Sequence, residues 1–262
     1  MTRANRARDD ATGRARAWHH AAQSALCDVV VPWEHGTVVR ASRYPSYFDY
    51  NAVCVERDAE MGVGALESFA DDALAGLAHR RLDFDLAAAA QPLRARFERN
   101  GWLTTRLLWM RHEAAPASSP LALVEEVPYE TVNDLRVIWH HEDFPDQDAS
   151  GFFDEAREVA SIRGARVLAM HDGRMPVAFA QFVREGAVAE ITHVYVHPEH
   201  RGGGRGQTIT LSAIGAAGDA EDLWICADDE DWPKEMYARL GFRPVWRSMQ
   251  FTRLPARGTL SS

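Results

Sequence analysis

Cysteine is scarce in this chain of 262 residues: Cys27, Cys54 and Cys226 are odd in number, far apart and set among apolar neighbours. That pattern excludes a disulfide framework and a cysteine-rich metal site, and it fits reduced, buried thiols. Long apolar runs are missing as well. No stretch approaches the length of a membrane span, and the start, Met1 to Arg8, has no apolar segment of the kind a signal peptide needs. The sequence therefore predicts a soluble, cytoplasmic protein without a membrane partner. Positive charge is in deficit, with 29 Lys+Arg against 38 Asp+Glu and a formal net charge of −9. This balance argues against nucleic acid as a partner and favours a cationic small substrate through the overall field.

Two phosphate-binding signatures are also absent. No Gly-Lys-Ser/Thr follows a glycine run, so there is no Walker loop, and the order of glycines does not fit a dinucleotide fingerprint. Nucleotide hydrolysis and hydride transfer are poor readings. What the chain does contain is Arg201-Gly-Gly-Gly-Arg-Gly206, directly after a strand-like run, Ile191 to Val196, and directly before a helix predicted over Gln207 to Ala217. Glycines remove the Cβ atoms that would keep a backbone away from a pyrophosphate, and a helix start offers N–H groups with partial positive charge. Arg201 and Arg205 add cationic donors to the same loop. A plain surface turn is the competing reading of a glycine run taken alone.

The flanking residues decide between them. Val194-x-Val196-x-Pro198-x-x-Arg201-x-x-Gly204-x-Gly206 resembles the acyl-CoA loop of the GCN5-related N-acetyltransferases (GNAT). Met236-Tyr-Ala-Arg-Leu-Gly-Phe242 resembles that family's short helix carrying a tyrosine and ending in Gly-Phe. The resemblance implies a mixed, mostly antiparallel α/β sheet flanked by helices. It implies acetyl-CoA as the acyl donor, no metal, and direct transfer of an acetyl group to a primary amine. By the same resemblance Arg201, Gly202, Gly203, Gly204, Arg205, Gly206 and Gln207 hold the CoA pyrophosphate. Val194, Tyr195 and Val196 line the pantetheine arm, with Val194 and Val196 making the main-chain bonds.

Acyl transfer to an amine also needs a base and an acid. An alkyl ammonium of pKa about 10 must lose a proton before it attacks. Glu190, eleven positions before Arg201, stands where several GNAT members keep a catalytic glutamate; the alternative is an exposed carboxylate at a strand end. Tyr237 stands where the family's tyrosine protonates the departing sulfur; the alternative is a half-buried aromatic packing the core. His193 is an auxiliary base or a packed strand residue. His193, His197 and His200 straddle a strand end and a turn, which argues against a shared metal. His19-His20 and His140-His141 read as surface pairs, Cys226 as a buried thiol, and Asp228 to Asp231 as a solvated loop or a site for a cationic acceptor.

The two halves of the chain correspond. Phe97-Glu-Arg-Asn-Gly-Trp102 lines up with Tyr237-Ala-Arg-Leu-Gly-Phe242, 140 positions on, and Val53 lines up with Val194, 141 positions on. The expected organisation is a basic tail and helix over 1–36, a degenerate partial GNAT-like domain over 37–113, a linker over 114–120 and a complete GNAT domain over 121–256. In the first copy only Met61-Gly-Val-Gly-Ala65, beside Asp58 and Glu60, stands in place of the glycine loop, and Phe97 replaces the tyrosine. A chance match of a common strand-helix-strand pattern is the competing reading. The expected assembly is a monomer whose halves mimic a dimer, or a homodimer, with a small-molecule or peptide amine as acceptor. A non-catalytic acyl-CoA-binding module that contacts a protein is the rival function.

Overall fold

The computed structural model describes residues 3–114, 123–145, 147 and 149–255. In chain order its first elements are α1 (Arg3–Ser24), β1 (Val29–Trp33), β2 (Gly36–Arg40), β3 (Ala52–Val55), α2 (Val63–Ala73), β4 (Arg80–Phe84), α3 (Ala87–Ala90), α4 (Arg94–Arg99) and β5 (Leu103–His112). There follow β6 (Glu125–Val127), α5 (Asn133–Asp143), α6 (Ser150–Ile162), β7 (Arg166–Asp172), β8 (Met175–Glu185), β9 (Val188–Val196), α7 (Arg205–Ala217), β10 (Asp222–Asp228), α8 (Pro233–Arg239) and β11 (Phe242–Arg253). Of the expected linker only Ala114 falls within the described residues; the rest, with Leu121 and Ala122 of the expected next strand, lies outside them.

Two compact units share these elements, each a mixed, mostly antiparallel sheet flanked by helices. The first takes the chain up to Trp109, Ala227–Asp231 and the residues from Val245 on; the second takes Met110–Cys226 and Trp232–Pro244. One strand order is used twice. In the first unit β1 and β2 pair antiparallel, β2 and β3 antiparallel, and β3 and β4 parallel. In the second, β7 and β8 pair antiparallel, β8 and β9 antiparallel, and β9 and β10 parallel. A parallel pair needs a crossover, and a helix supplies it each time, α2 in the first unit and α7 in the second.

The compact units divide differently from the limits 37–113 and 121–256 drawn from the repeat. From Val245 on, β11 belongs to the first unit, where Met249–Arg253 pair antiparallel with Phe84–Arg80 of β4. The end of β5 belongs to the second unit, where Arg111 Nε lies 2.7 Å from Asp222 Oδ1. The last strand of each sequence copy thus ends in the other unit, because that is where its ladder and ion-pair partners are.

In the first unit Phe97 is fully buried and stacks on Phe251, with ring centroids 4.2 Å apart, beneath Leu66, Leu82 and Phe84. Arg16 of the basic start is not part of a loose tail. Helix α1 places Arg16, His20 and Gln23 on one face by i, i+4, i+7 spacing, and all three meet carboxylates at the end of β4. Arg16 Nε donates to Asp85 Oδ2 at 2.8 Å, His20 Nε2 lies 2.9 Å from Asp85 Oδ1, and Gln23 Nε2 donates to Asp83 Oδ2 at 3.0 Å. His19 is not at the surface either: its ring sits 5.1 Å from that of Trp109 and 5.6 Å from that of Trp246. Burial, aided by the charge of His20, pushes its pKa down to about 4.

The run Asp228 to Asp231 is also spoken for. Asp229 is buried and its Oδ2 accepts from Arg106 Nε and Arg247 Nε, each at 2.9 Å, while Glu230 takes both arms of Arg94. A site for a cationic acceptor does not fit carboxylates already held by arginines. The cysteines are free, with burial pushing the Cys27 thiol up to about 12 and the Cys54 thiol well above its ordinary value. Among the described residues no helix is long and apolar enough to cross a membrane.

The contact between His20 and Asp85 makes a pH prediction. Burial opposes the charge on His20, but the hydrogen bond and charge of Asp85 outweigh it, so its folded pKa stands above the ordinary 6.5. A raised histidine pKa stabilises the fold fully below about 6.5 and loses that contribution as pH rises through the folded value. The wild-type melting temperature should therefore fall more steeply than that of His20→Gln as pH is raised from about 6. Parallel curves for the two proteins would show that the pair contributes nothing.

Candidate functional site

The second unit contains the stretch singled out by its glycines. β9 is flanked on one side by β8 and on the other by β10, but only Val188–Ile191 pair with β10, opposite Asp222–Ile225. The last five residues of β9, from Thr192 on, have parted from it. At the same point the ladder with β8 shifts: Gln181 faces His193 and Phe182 faces Ile191, which leaves Thr192 as an extra residue, a β-bulge.

Which main-chain groups face the open side follows from the ladder. His197 N–H donates to Val177 O at 2.9 Å, next to the pairs Ala178↔Val196, Phe179↔Tyr195 and Ala180↔Val194. Antiparallel residues direct both main-chain groups alternately to one neighbour and then away from it. Tyr195 and His193 are therefore bonded to β8, whereas Val194 and Val196 point their N–H and C=O toward the side that β10 has left. The sequence expectation named these two valines. Tyr195, expected beside them in donor contact, faces the other way: its main chain serves β8 and its hydroxyl donates to Glu142 Oε2 at 2.7 Å.

Beyond β9 a turn over Pro198–His200 leads into Gly202, Gly203 and Gly204, with φ of 85°, 57° and 76°. Three successive left-handed residues cost an L-residue about 1–2 kcal/mol each, which is why all three are glycine. The protein itself does not crowd them. A Cβ at Gly202 or Gly204 would meet nothing within 4 Å, so the loop's outer face is open to a ligand. Gly204 then starts α7 with no side-chain cap, which leaves the first-turn N–H groups of a 13-residue helix directed outward beside exposed Gln207. Gly206 serves packing: its Cβ position lies 3.5 Å from Met236 Sδ and 3.8 Å from Val196 Cγ2. That contact sets α8 against the first turn of α7.

The two arginines of the loop are each anchored through part of their donor set. Arg201 Nη2 meets Glu142 Oε2 at 2.6 Å and its Nε donates to Val196 O at 3.1 Å, while Arg205 Nη1 donates to His200 O at 3.2 Å. A guanidinium carries five N–H donors, so both keep donors for an anion beside the main-chain N–H groups of the loop. Glu142 carries much of this arrangement; burial works against its charge, but the Tyr195 hydroxyl and the Arg201 guanidinium hold its carboxyl below the usual range. Burial raises the Tyr195 hydroxyl and the bond to Glu142 raises it further, so it stays protonated.

α5 lies along this part of β9 with one residue per turn. Arg136 reaches Gln181, whose amide meets Thr192; Trp139 sets its ring 5.1 Å from that of His193; Glu142 holds Tyr195 and Arg201. His193 is pushed down to about 3, by burial first and the charge of Arg136 second, so it stands neutral and accepts protons poorly. Its part is packing against Trp139, not that of an auxiliary base. His140 is buried among Phe144, Phe152 and Phe153, not at the surface.

Glu190 is 9% exposed and sits inside the paired part of β9, between Val183 and Trp224, two residues before the bulge. It is not an exposed strand-end carboxylate. Tyr237 is 6% exposed on α8, next in sequence to the Met236 that touches Gly206, with its ring 6.1 Å from that of Phe242. Among the described residues no group of three His, Cys, Asp or Glu is placed to hold a metal. A groove of about 480 Å³ lies at the other end of α7, lined by Arg111, Ala217, Asp219 and Glu221 among others. Two of the charges there are paired, Arg111 with Asp222 and Asp219 with Arg184.

An open strand edge that runs into a left-handed glycine loop and an uncapped helix start occupies residues 188–207. Residues 163–244, which contain it, match the family model of the acetyltransferase (GNAT) domain. This stretch is similar to a GNAT domain. Such a domain supports acyl transfer as the chemistry. No curated protein matches the chain. Among solved structures, a conserved protein of unknown function from Staphylococcus epidermidis is 16% identical with a TM-score of 0.65, over 88% of this chain and 95% of that one, which shows a shared fold. A GCN5-related N-acetyltransferase from Sphaerobacter thermophilus is 13% identical over 77% of this chain and 73% of that one, with a TM-score of 0.48. A tandem GNAT protein from the clavulanic acid biosynthesis pathway is 17% identical over 79% of this chain and 77% of that one, with a TM-score of 0.44.

Sequence reasoning missed Thr192 and Gln181 within the matched stretch and Arg136 and Glu142 on α5, ahead of it. A signal existed for Gln181, the one polar side chain in the apolar run Val177 to Val183. For Glu142 none did, since its partners lie more than fifty residues away. Replacing Glu142 by Gln removes the charge that holds Arg201 and keeps the shape. The amides of 201–204 should then exchange with deuterium several-fold faster than in wild type at nearly unchanged melting temperature. Equal rates would show that Glu142 does not order the loop.

Proposed function

We propose that this chain transfers an acetyl group from acetyl-CoA to a primary amine, directly and without a covalent enzyme intermediate. One observation carries the proposal: the main-chain edge of Val194 and Val196 is free, and it leads without interruption into the glycine loop and the uncapped start of α7. An extended chain ending in a pyrophosphate suits both parts. Val194 offers N–H and C=O as a strand partner would, while Val196 keeps its N–H, since its carbonyl already accepts from Arg201. The N–H groups of Gly202, Gly203, Gly204, Gly206 and Gln207 serve the anion, with no Cβ on the three left-handed residues to hold it off.

Acetyl-CoA supplies a thioester whose carbonyl carbon the amine attacks and whose sulfur departs. The protein's share is protons and alignment. Glu190, buried close to the point where β9 parts from β10, is the base that takes the ammonium proton, directly or through one water. A main-chain N–H of the open β9 edge stabilises the negative charge that develops on the carbonyl oxygen. Tyr237, beside the contact of α8 with α7, gives its proton to the departing thiolate. Cys226 has no assigned part, because a direct transfer needs no nucleophile from the protein.

The acceptor lies on the side of α5 and α6 in this reading. The described acidic residues there, Asp134, Asp143, Asp154, Glu155 and Glu158 among them, suit a cationic amine. Thiol release from acetyl-CoA over a panel of polyamines, amino acids, aminoglycosides and peptides tests the reading. With any accepted amine, Tyr237→Phe should lower kcat about 100-fold while acetyl-CoA affinity stays within about twofold. Unchanged kcat would remove Tyr237 as the acid, and acetyl-CoA binding with no amine acetylated would favour a binding module.

A further inference from the structure

Resting on that donor reading, we propose that Arg136, Gln181 and Thr192 are positioning residues that hold the donor edge open. The reason to look for such a device is that an open edge is costly. Two strands already paired in parallel over four residues gain hydrogen bonds by continuing, and β9 and β10 both run on past Ile191 and Ile225 without doing so. Something keeps them apart.

The first unit is the internal control. There β2 and β3 pair from Gly36↔Val55 to Val39↔Ala52 with no register shift, so there is no bulge. Its parallel pair follows β3 to its last residue, Val55 opposite Phe84, and Asp85 N–H then donates to Val55 O at 3.0 Å. Without the bulge the edge is closed. In the second unit the extra residue, Thr192, falls at the residue where β9 leaves β10.

Thr192 is held in that position by a chain of hydrogen bonds with a fixed direction. A guanidinium only donates, so Arg136 Nη2, 2.7 Å from Gln181 Oε1, fixes which end of the amide faces it. Gln181 Nε2 must then face the other way, and it donates to Thr192 Oγ1 at 3.2 Å. The hydroxyl, having accepted, has its own proton for the Gln181 main-chain carbonyl at 3.3 Å or for His193 Nδ1 at 3.2 Å. Both anchors are immobile: Gln181 is 7% exposed, and Arg136 is 3% exposed with its guanidinium carbon 4.0 Å above the Tyr129 ring and 4.7 Å above that of Phe179. Sliding Thr192 back into register would strand the buried amide of Gln181, whose partners would no longer be in reach.

Amide hydrogen exchange of the full chain, resolved by residue with NMR, tests the lock with and without saturating acetyl-CoA. The variants are Thr192→Val, which keeps the branched shape and loses the hydroxyl, Thr192→Ser, which restores the hydroxyl, and Gln181→Leu as a second way to break the chain. In wild type the amides of Val194 and Val196 should exchange fast without donor and at least about tenfold slower with it. In Thr192→Val and Gln181→Leu they should be slow without donor, because the edge has closed on β10, and acetyl-CoA affinity should fall about tenfold. Thr192→Ser should behave as wild type, which a purely structural loss would not produce. Fast exchange without donor in both Thr192→Val and Gln181→Leu, or slow exchange in donor-free wild type, would overturn the lock. Wild-type amides that stay fast in acetyl-CoA would sink the donor reading, while the donor-free comparison of variants would still decide the lock.

Discussion

A strand that stops pairing in the middle of a sheet is the constraint on which the second unit's chemistry depends. Backbone N–H and C=O groups are under strong pressure to be satisfied, and in most sheets the neighbouring strand satisfies them. Here β9 keeps that neighbour only as far as Ile191 and offers the main-chain groups of Val194 beyond it. Side chains do not make such an edge. Register makes it, and the bulge at Thr192 sets the register. On the proposed reading the glycine loop and the helix start then extend the edge into an anion cradle, with Arg201 and Arg205 anchored beside it.

The same strand order occurs in the first unit with none of these features. Its loop glycines do not adopt left-handed φ; Gly62, which precedes α2, sits at φ −74°. Its parallel pair closes fully, and Arg16 of α1 donates to the carbonyl of Glu56, the residue after β3, at 3.2 Å while also meeting Asp85. In the second unit Arg201 makes the like contact with Val196 O, and it is the main chain of Val194, further back, that β10 leaves open. Two copies of one fold separate scaffold from candidate site: the sheet order survives in both, and only the second has the bulge, the three left-handed glycines and a tyrosine where the first has Phe97.

Much of this was legible in the chain itself. The strand before Arg201, the helix after it, the Gly-Phe end of α8 and the alignment of Phe97 with Tyr237 all rest on local residue types. Local rules govern those features. The positions of β11 and of the end of β5 were not legible, because strand pairing over more than a hundred residues is decided by which edge remains unsatisfied, and no local pattern records that. Charged side chains misled for the same reason. Arg16, Asp229 and His19 read as surface groups from their neighbours in sequence, and each is held by a partner brought from far along the chain. Buried polar residues such as Gln181 and Arg136 are the reverse case, visible as interruptions of apolar runs but without a stated purpose until the fold supplies their partners.

The account holds that two copies of the fold yield a single donor site, in the second copy. Calorimetric titration of acetyl-CoA into the full chain reads that number directly as the binding stoichiometry. One acetyl-CoA per chain is the predicted result. Two per chain would mean that the first unit's closed edge binds as well, and none would mean that the open edge of β9 serves something other than an acyl donor.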